Sequence, residues 1–466
     1  MKIYLYNTLT GKKELLLNPK GKSLRFFVCG PTVYDYPHIG NSRTYVVFDA
    51  FVKYLRTIGY SVFYLQNITD IDDKIINRAN TERTSWIKIS KTFLDIYRRN
   101  MKDLGVDAVD SYAKATDHIP QILNQVRTLI ENQHAYEIPN EGIYFDITTF
   151  PNYGKLSRRT ALQAEDAVSR IDDGVNKRNK GDFALWKFSK ANEPSWQSPW
   201  GLGRPGWHIE DTAITDKYFG PQYDLHGGAT DLKFPHHEAE IAQQESISGK
   251  EPFVKIWMHT GFLTLNGQKM SKSAGNYMTV DQFLKSFSAQ VFRLMVLSNH
   301  YRSPLDYSQR LGQENKARWL LITEFLAKLD LISKKSAIRR SVSLEKYLKS
   351  FDAEFTLSLA DDFNTPKAFG ILFKFISDAN PKIWDLSKTA AYKTANEIKK
   401  NLKSLGFKVI FPEIPKKIQK LSSEREKFRR NQQFMQSDSL RKKINDLGFG
   451  VEDTPLGSFV WPLGAH

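Results

Sequence analysis

The stretch that decides the fold is an apolar run closed by two structure-breaking residues, Leu24-Arg25-Phe26-Phe27-Val28-Cys29-Gly30-Pro31. Its length and its Gly-Pro boundary predict a short buried strand. Apolar residues then recur every three or four positions between residues 46 and 55, which predicts a helix, and Gly59 is a suitable residue to end it. Residues 61–65 form a second apolar run and predict another strand. Strand, helix and strand in this order form a βαβ unit, so the two strands should be parallel.

The chain is too long for a single hydrophobic core, and its pattern changes along its 466 residues. We expect an α/β fold in which residues 1–310 build a Rossmann-like parallel sheet, with a subdomain inserted at about residues 117–204. A polar stretch at residues 172–181 predicts a loop in that subdomain. Residues 311–410 should form an α-helical bundle, since one helix face carries Ile322, Phe325, Leu326, Leu329 and Ile332. Residues 411–466 are expected to form a small C-terminal domain.

Composition excludes several classes of protein. One cysteine, Cys29, cannot form an internal disulfide, so the chain is not a secreted disulfide scaffold. No apolar run reaches about 18 residues, and the N-terminus lacks the apolar stretch of a signal peptide. We therefore expect no membrane span and a cytoplasmic location. With 41% hydrophobic and 13% aromatic residues, the chain is too apolar to be disordered.

Positive charge is in excess and is concentrated near the C-terminus. The chain has 67 Lys and Arg residues against 51 Asp and Glu residues, a formal net charge of +16. Residues 414–445 contain ten Lys and Arg residues and three acidic ones. This balance favours a polyanionic partner, although a solvated charged helix would have the same composition.

Two short motifs indicate nucleotide chemistry. His38-Ile39-Gly40-Asn41 follows the first predicted strand, in the loop where open parallel sheets bind ligands and helix N–H groups attract anions. Lys269-Met270-Ser271-Lys272-Ser273 follows a predicted turn at Asn266-Gly267, and its lysines can offset the charge of nucleotide phosphates. The alternatives are an accidental His-Gly turn and a solvated basic loop.

A third group of residues suggests a metal site. His236 and Glu240 are four positions apart, so they should project from one face of a helix. Cys29 closes the first strand, and a thiolate, an imidazole and a carboxylate are common zinc ligands. Nothing in the sequence brings Cys29 near His236, and a free cysteine is more often a small buried hydrophobe.

The two nucleotide motifs, in this order, resemble the two signatures of the class I aminoacyl-tRNA synthetases, His-Ile-Gly-His and Lys-Met-Ser-Lys-Ser. The surrounding sequence resembles the cysteinyl-tRNA synthetase family in particular. The similar segments cover nearly the whole chain and lie at residues 6–11, 29–35, 67–75, 204–210, 226–228, 234–238, 361–366, 447–448, 452–455 and 457.

The resemblance implies ATP-dependent ligation of L-cysteine to tRNA(Cys) through a cysteinyl-adenylate, with release of AMP and pyrophosphate. The catalytic residues would be His38, Lys269 and Lys272. The ATP-binding set, with Mg²⁺ accompanying ATP, would be His38, Gly40, Asn41, Gly227, Gly228, Lys269 and Lys272. The cysteine-binding set would be Cys29, Thr69, Trp207 and Asp231. The helical region would bind tRNA, residues 411–466 would recognise the anticodon, and we expect a monomer.

The resemblance also implies a zinc ion that binds the substrate thiolate, normally held by two cysteines, a histidine and a glutamate. Cys29, His236 and Glu240 match three of these positions, but Asp211 stands where the second cysteine is usual. Aspartate is a competent zinc ligand, so we expect Asp211 to complete the set. The competing hypothesis is a weak or absent metal, because a harder ligand set is less selective for a soft ion and could bind zinc less tightly.

A second departure is Asn41, where the family signature has its second histidine. Two other functions remain open at this point. One is an ATP-dependent cysteine ligase that acts on an amino sugar, which the C-terminal extension through Glu452-Asp453-Thr454-Pro455 disfavours. The other is a tRNA-binding relative without catalysis, which His38, Lys269 and Lys272 disfavour. The two departures from the family pattern, Asn41 and Asp211, mildly favour it.

Overall fold

The computed structural model describes residues 1–159, 176–265, 267–270, 275–338 and 344–463. Its residues cluster into two units, one of Met1–Phe283 with Tyr301–Asp306 and one of Leu284–His300 with Tyr307–His466. Of the loop predicted at residues 172–181, residues 172–175 lie outside the described residues. None of the described helices has the length and apolar character needed to cross a bilayer.

Strands and helices alternate through most of the chain before residue 308. The strands are β1 (Ile3–Asn7), β2 (Lys12–Leu16), β3 (Leu24–Val28), β4 (Val62–Ile68), β5 (Ser111–Lys114), β6 (Ala135–Ile138), β7 (Gly142–Phe145), β8 (Phe183–Phe188), β9 (Gly203–Pro205), β10 (Tyr223–Ala229), β11 (Val254–Thr260), β12 (Leu263–Leu265), β13 (Gln268–Lys269) and β14 (Leu305–Tyr307). The helices before the bundle are α1 (Ile39–Thr57), α2 (Asp73–Thr81), α3 (Trp86–Asp103), α4 (Ile119–Glu131), α5 (Ile209–Phe219), α6 (His236–Ser248) and α7 (Val280–Ser286).

A five-stranded sheet in the order β11-β10-β3-β4-β5 forms the centre of the first unit, and all its strand pairs are parallel. The predicted βαβ unit is β3, α1 and β4, and Gly59 follows the end of α1 with φ 92°. Phe26 and Phe27 are both fully buried, as expected for a parallel strand that is covered on both faces. The prediction of an α/β fold with a parallel sheet is confirmed.

Between β5 and β10 the chain forms a four-stranded antiparallel sheet in the order β6-β7-β8-β9. Phe145 of β7 and Phe183 of β8 stack with ring centroids 5.0 Å apart. Both belong to the same buried cluster as Phe27 and Leu65 of the parallel sheet. The insertion therefore shares its core with the main sheet.

The second unit is mainly helical. Its helices are α8 (Ala289–Leu297), α9 (Gln309–Lys335), α10 (Glu345–Ala360), α11 (Thr365–Ala379), α12 (Lys388–Ser404), α13 (Lys416–Arg430) and α14 (Phe434–Asp446), and its strands are β15 (Phe449–Thr454) and β16 (Gly457–Pro462). The apolar face predicted around Phe325 is buried in α9, so this prediction is confirmed. Asn364 caps α11 by accepting a hydrogen bond from Lys367 N, and Pro366 lies in its first turn.

The C-terminal helices and hairpin are joined through one carboxylate. Arg425 of α13 is fully buried and donates to both oxygens of Asp453 in β15, at 2.6 and 2.8 Å. Arg441 of α14 donates to Asp453 Oδ2 at 2.8 Å. The hydrogen bonds from Arg425 hold the pKa of Asp453 below its usual value. Asp453 thus neutralises cations from both helices.

We expect Asp453→Ala to destabilise the C-terminal segment by about 3 kcal/mol or more, because it leaves the buried Arg425 guanidinium without a counter-charge. Since the pKa of Asp453 is depressed in the folded chain, the stabilisation is present above about pH 4 and is lost as pH falls through the folded pKa. Hydrogen exchange of residues 416–462 measures both effects.

The matched control is Asp378→Ala, which removes one partner of the exposed Lys374–Asp378 pair on α11, whose N···O distance is 2.7 Å. Solvent screens an exposed pair four residues apart, so its loss should change stability far less than the loss of Asp453. Equal destabilisation by the two variants would contradict the structural role of Asp453.

Candidate active site and metal centre

The candidate site lies where the parallel sheet reverses its strand order. The chain proceeds from β3 through β4 to β5, whereas β10 and β11 extend the sheet on the other side of β3. Open α/β sheets bind ligands beyond the carboxyl ends of the strands at such a point. Cys29 directly follows β3, and its N–H donates to Gly227 O of β10 at 3.1 Å. Side chains that are distant in the sequence therefore meet here.

The structure brings the four predicted metal-ligating residues together. Asp211 lies in the first turn of α5, and His236 begins α6 with Glu240 one turn later. His236 Nε2 is 3.0 Å from Asp211 Oδ2 and 3.2 Å from Glu240 Oε1. Cys29 Sγ is 3.9 Å from Glu240 Oε1. One ligand atom from each of the four residues falls within 4.8 Å of the others.

Three of these four ligand groups are acidic, and all four are buried. Burial, and then the nearby Asp211, raise the pKa of Glu240, while burial and Glu240 raise the pKa of Cys29. Within the described residues, Asp211 Oδ1 and Glu240 Oε2 are buried and have no hydrogen-bond partner. A divalent cation would satisfy both oxygens and offset the charge, and this donor set suits zinc. The cluster is compatible with a metal site.

Buried imidazoles surround the cluster. His226 Nε2 and His237 Nε2 lie 3.2 and 3.1 Å from Cys29 Sγ. His208 Nδ1 lies 2.8 Å from His236 Nδ1, the nitrogen that faces away from Asp211. Burial lowers the pKa of His208, His226 and His237 well below the usual value, so these rings are neutral at pH 7.

Sequence reasoning did not assign His226 and His237 to the site, although both lie in segments that carry the family resemblance. Their sequence signal is weak: residues 226–228 contain one histidine and residues 234–238 contain two adjacent ones. Neither the strand pattern around His226 nor the helix pattern around His237 predicts that both rings face Cys29.

The His38 loop forms the start of α1. His38 is the N-cap of that helix, and its Nδ1 accepts a hydrogen bond from Asn41 N at 3.3 Å. Two backbone hydrogen bonds, Ile39 N to Met278 O and Val280 N to Pro37 O, each 3.0 Å long, hold this loop against residues 278–280. Asn41 thus supports the cap through its backbone.

The described start of the second nucleotide motif lies next to the first motif. A Cβ placed on Gly40 would be 2.8 Å from His38 Nδ1 and 3.7 Å from Met270 Sδ, so Met270 packs close to the glycine. Lys269 lies in β13, which pairs with β12. Lys272, with the rest of residues 271–274, lies outside the described residues. The close approach of Met270 brings the start of the second motif to the first.

Gly227 and Gly228 are required by packing as well as being candidates for nucleotide binding. A Cβ on Gly227 would lie 2.7 Å from the Phe48 ring, and one on Gly228 would lie 2.6 Å from His237 Cε1. Both distances are far below van der Waals contact. The two glycines therefore let α1 and the His237 ring approach β10.

Two of the predicted cysteine-binding residues, Trp207 and Thr69, contact the cluster or the residue next to it. Trp207 is partly exposed and stacks on the His236 ring at 4.3 Å with an interplanar angle of 17°. Thr69, buried after β4, donates a hydrogen bond to Glu210 Oε1. Asp231 is exposed in the 3₁₀ turn Thr230–Lys233 between β10 and α6. Trp207 and Thr69 thus contact residues of, or next to, the metal-ligand set.

Known families match both parts of the chain. Residues 16–317 match the family described as tRNA synthetases class I (C) catalytic domain, and residues 354–409 match the DALR domain. Solved structures with this fold include a methionyl-tRNA synthetase of Mycobacterium tuberculosis, with a TM-score of 0.61, 13% identity and coverage of 82% of this chain and 92% of that one. LeuRS from Agrobacterium radiobacter K84 superposes with a TM-score of 0.61 at 10% identity, over 83% of this chain and 84% of that one.

Curated proteins match over the full length. The cysteine–tRNA ligase of Thermococcus gammatolerans is 41% identical, over 99% of this chain and 99% of its own length. That of Persephonella marina is 38% identical, over 98% of this chain and 99% of its own length. Identity at this level along the whole chain, together with the class I catalytic domain, shows that the chain belongs to the cysteine–tRNA ligase family.

Proposed function

We propose that the chain catalyses ATP-dependent ligation of L-cysteine to tRNA(Cys) through a cysteinyl-adenylate, with release of AMP and pyrophosphate. The observation that carries the proposal is the buried cluster of Cys29, Asp211, His236 and Glu240 at the reversal point of the parallel sheet. The His38 loop leaves the same edge of that sheet, so the amino acid and ATP would meet where their bond must form.

Cys29, Asp211, His236 and Glu240 would hold zinc. When bound, zinc supplies selectivity for a thiolate over a serine hydroxyl, which ionises too weakly to compete. Trp207, stacked on His236, and Thr69, bonded to Glu210, would line the amino-acid pocket with Asp231. Because Asp211 is a harder ligand than cysteine, the site should bind zinc less tightly than one with two sulfurs.

In the first step the cysteine carboxylate attacks the α-phosphate of ATP and pyrophosphate leaves. His38, Lys269 and Lys272 would stabilise the charge that builds up on the phosphates, and Mg²⁺ would accompany ATP. Gly40, Gly227 and Gly228 would allow the nucleotide to approach the backbone, and Asn41, which cannot carry a charge, would offer hydrogen-bond donors. In the second step a hydroxyl of the terminal tRNA ribose attacks the activated carbonyl and AMP leaves.

The helical part would bind tRNA, with residues 311–410 against its body and residues 411–466 at the anticodon. The support for this is charge: α13 ends in Lys427, Arg429 and Arg430 and begins with Lys416 and Lys417. Phosphates pair with such side chains without regard to base sequence. We propose further that the protein acts as a monomer in the cytoplasm, where tRNA is charged for translation.

Charging assays with cysteine and serine test the function. We expect transfer of cysteine to tRNA(Cys), serine charging slower by about 100-fold or more, and loss of cysteine charging after chelation, because selectivity resides in the metal. Elemental analysis of chelator-washed protein would contradict the metal assignment if full activity accompanied sub-stoichiometric zinc. Cysteine-dependent ATP–pyrophosphate exchange without transfer to tRNA would favour the amino-sugar ligase, and no exchange would favour a non-catalytic relative.

Cys29→Ser should raise the KM for cysteine in ATP–pyrophosphate exchange by about 100-fold, with the KM for ATP within about threefold of the parent, since the thiolate serves only the amino-acid side.

His38→Gln is the reciprocal control, because its side chain belongs to the nucleotide loop. It should lower kcat with the KM for cysteine unchanged. If Cys29→Ser instead impaired ATP and cysteine binding equally, Cys29 would be a structural residue of the strand end.

Affinity for tRNA should fall steeply as salt rises. Replacement of Lys416, Lys417 and Lys420 by alanine should weaken binding and reduce the slope of log K against log salt concentration by about 2, because each contacting lysine releases counterions. The control replaces Lys12 and Lys13, exposed on β2 in the first unit, and should leave the slope unchanged. A flat salt response of the parent chain would contradict the tRNA interface.

A further inference from the structure

A second group of potential metal ligands overlaps the first. Cys29, His226, His237 and Glu240 also offer one ligand atom each within 4.8 Å of the others. All four side chains are buried. His226 Nε2 and His237 Nε2 are 3.2 and 3.1 Å from Cys29 Sγ, and Glu240 Oε1 is 3.9 Å from it. Sulfur and nitrogen ligands of one tetrahedral zinc ion lie about 3.5 Å apart, so these atoms need only small shifts to share an ion.

The second nitrogen of each imidazole already has a partner, as is usual for metal-bound histidines. His226 Nδ1 lies 2.6 Å from Tyr223 Oη and 3.6 Å from Glu240 Oε2. His237 Nδ1 lies 2.8 Å from His259 Nε2, and His259 Nδ1 lies 2.8 Å from Thr8 Oγ1. With a proton on each Nδ1, the lone pair of each Nε2 would face Cys29 Sγ. A cation bound to that sulfur could then also bind both nitrogens.

Charge favours this second group. One thiolate and one carboxylate balance a divalent cation, whereas the set with Asp211 adds another carboxylate and leaves a net negative charge in a buried site. Uncompensated buried charge is costly. When the ion occupies the second group, Asp211 keeps a partner, because His236 Nε2 can donate to its Oδ2 across 3.0 Å.

We propose that Cys29, His226, His237 and Glu240 form a second zinc site that overlaps the Asp211 set and retains the ion when Asp211 does not bind it. The two sets share Cys29 and Glu240, so the chain holds one ion at a time. This inference rests on the proposed function only in assuming a zinc ion near Cys29. It explains how the chain tolerates an aspartate at position 211, because two neutral nitrogens replace the missing sulfur as softer ligands.

Zinc binding by Asp211→Asn, measured by competition with a chromophoric chelator, tests the proposal without any assay of tRNA charging. We expect Asp211→Asn to bind about one zinc per chain with a Kd within tenfold of the parent. The double variant Asp211→Asn/His237→Gln should bind at least 100-fold more weakly than Asp211→Asn. Zinc-edge X-ray absorption of Asp211→Asn should show one sulfur and two imidazoles.

His118→Gln, added to Asp211→Asn, is the matched control, because His118 is a buried histidine outside both sets and its replacement should leave zinc affinity unchanged.

Three results would overturn the proposal: loss of zinc in Asp211→Asn, a double variant that binds zinc as well as Asp211→Asn, or a single imidazole in the absorption spectrum. The absorption measurement needs only Asp211→Asn and decides the matter even if the double variant fails to fold. A parent chain without zinc would refute both sites, whereas zinc lost only in Asp211→Asn would refute the second site and leave the proposed function intact.

Discussion

The pairing of β3 with β10 is the interaction on which the site depends. Because these strands are parallel neighbours, Cys29 at the end of one meets the His226–Gly228 segment of the other. A slip of one residue would turn every side chain of β10 to the opposite face and remove His226 from Cys29. Packing fixes the register: Phe27 contacts the His226 ring edge-on at 5.1 Å, and Gly227 leaves room for Phe48.

Burial determines the chemistry that this pairing makes available. The cluster gathers a thiol and carboxylates whose ionisation is opposed by the low dielectric and by one another, as the raised pKa values of Cys29 and Glu240 indicate. The surrounding imidazoles are held neutral by the same burial. Such an environment disfavours bare anions and favours a bound cation. A buried acidic site and a preference for a bound cation are therefore two consequences of one arrangement.

Much of the fold was predictable because its signals are local. The apolar runs of β3 and β4, the helical period of α1 and the position of Gly59 each lie within a few residues, and together they indicate a parallel βαβ unit. The His236–Glu240 pair was predictable for the same reason, since a helix turn brings residues four apart onto one face. The metal-ligand set as a whole came from family resemblance, because no local pattern links Cys29 to α6.

The sequence by itself determined the α/β class, the helical second half, the basic C-terminal segment and the presence of an aspartate where a second cysteine is usual. Only the tertiary structure decided which side chains share the buried space. It brought Asp211 against His236, and it directed both His226 and His237 at Cys29. The physical reason is that strand order and helix packing join segments that lie from 25 to 208 positions apart, and periodicity within a segment carries no information about such contacts.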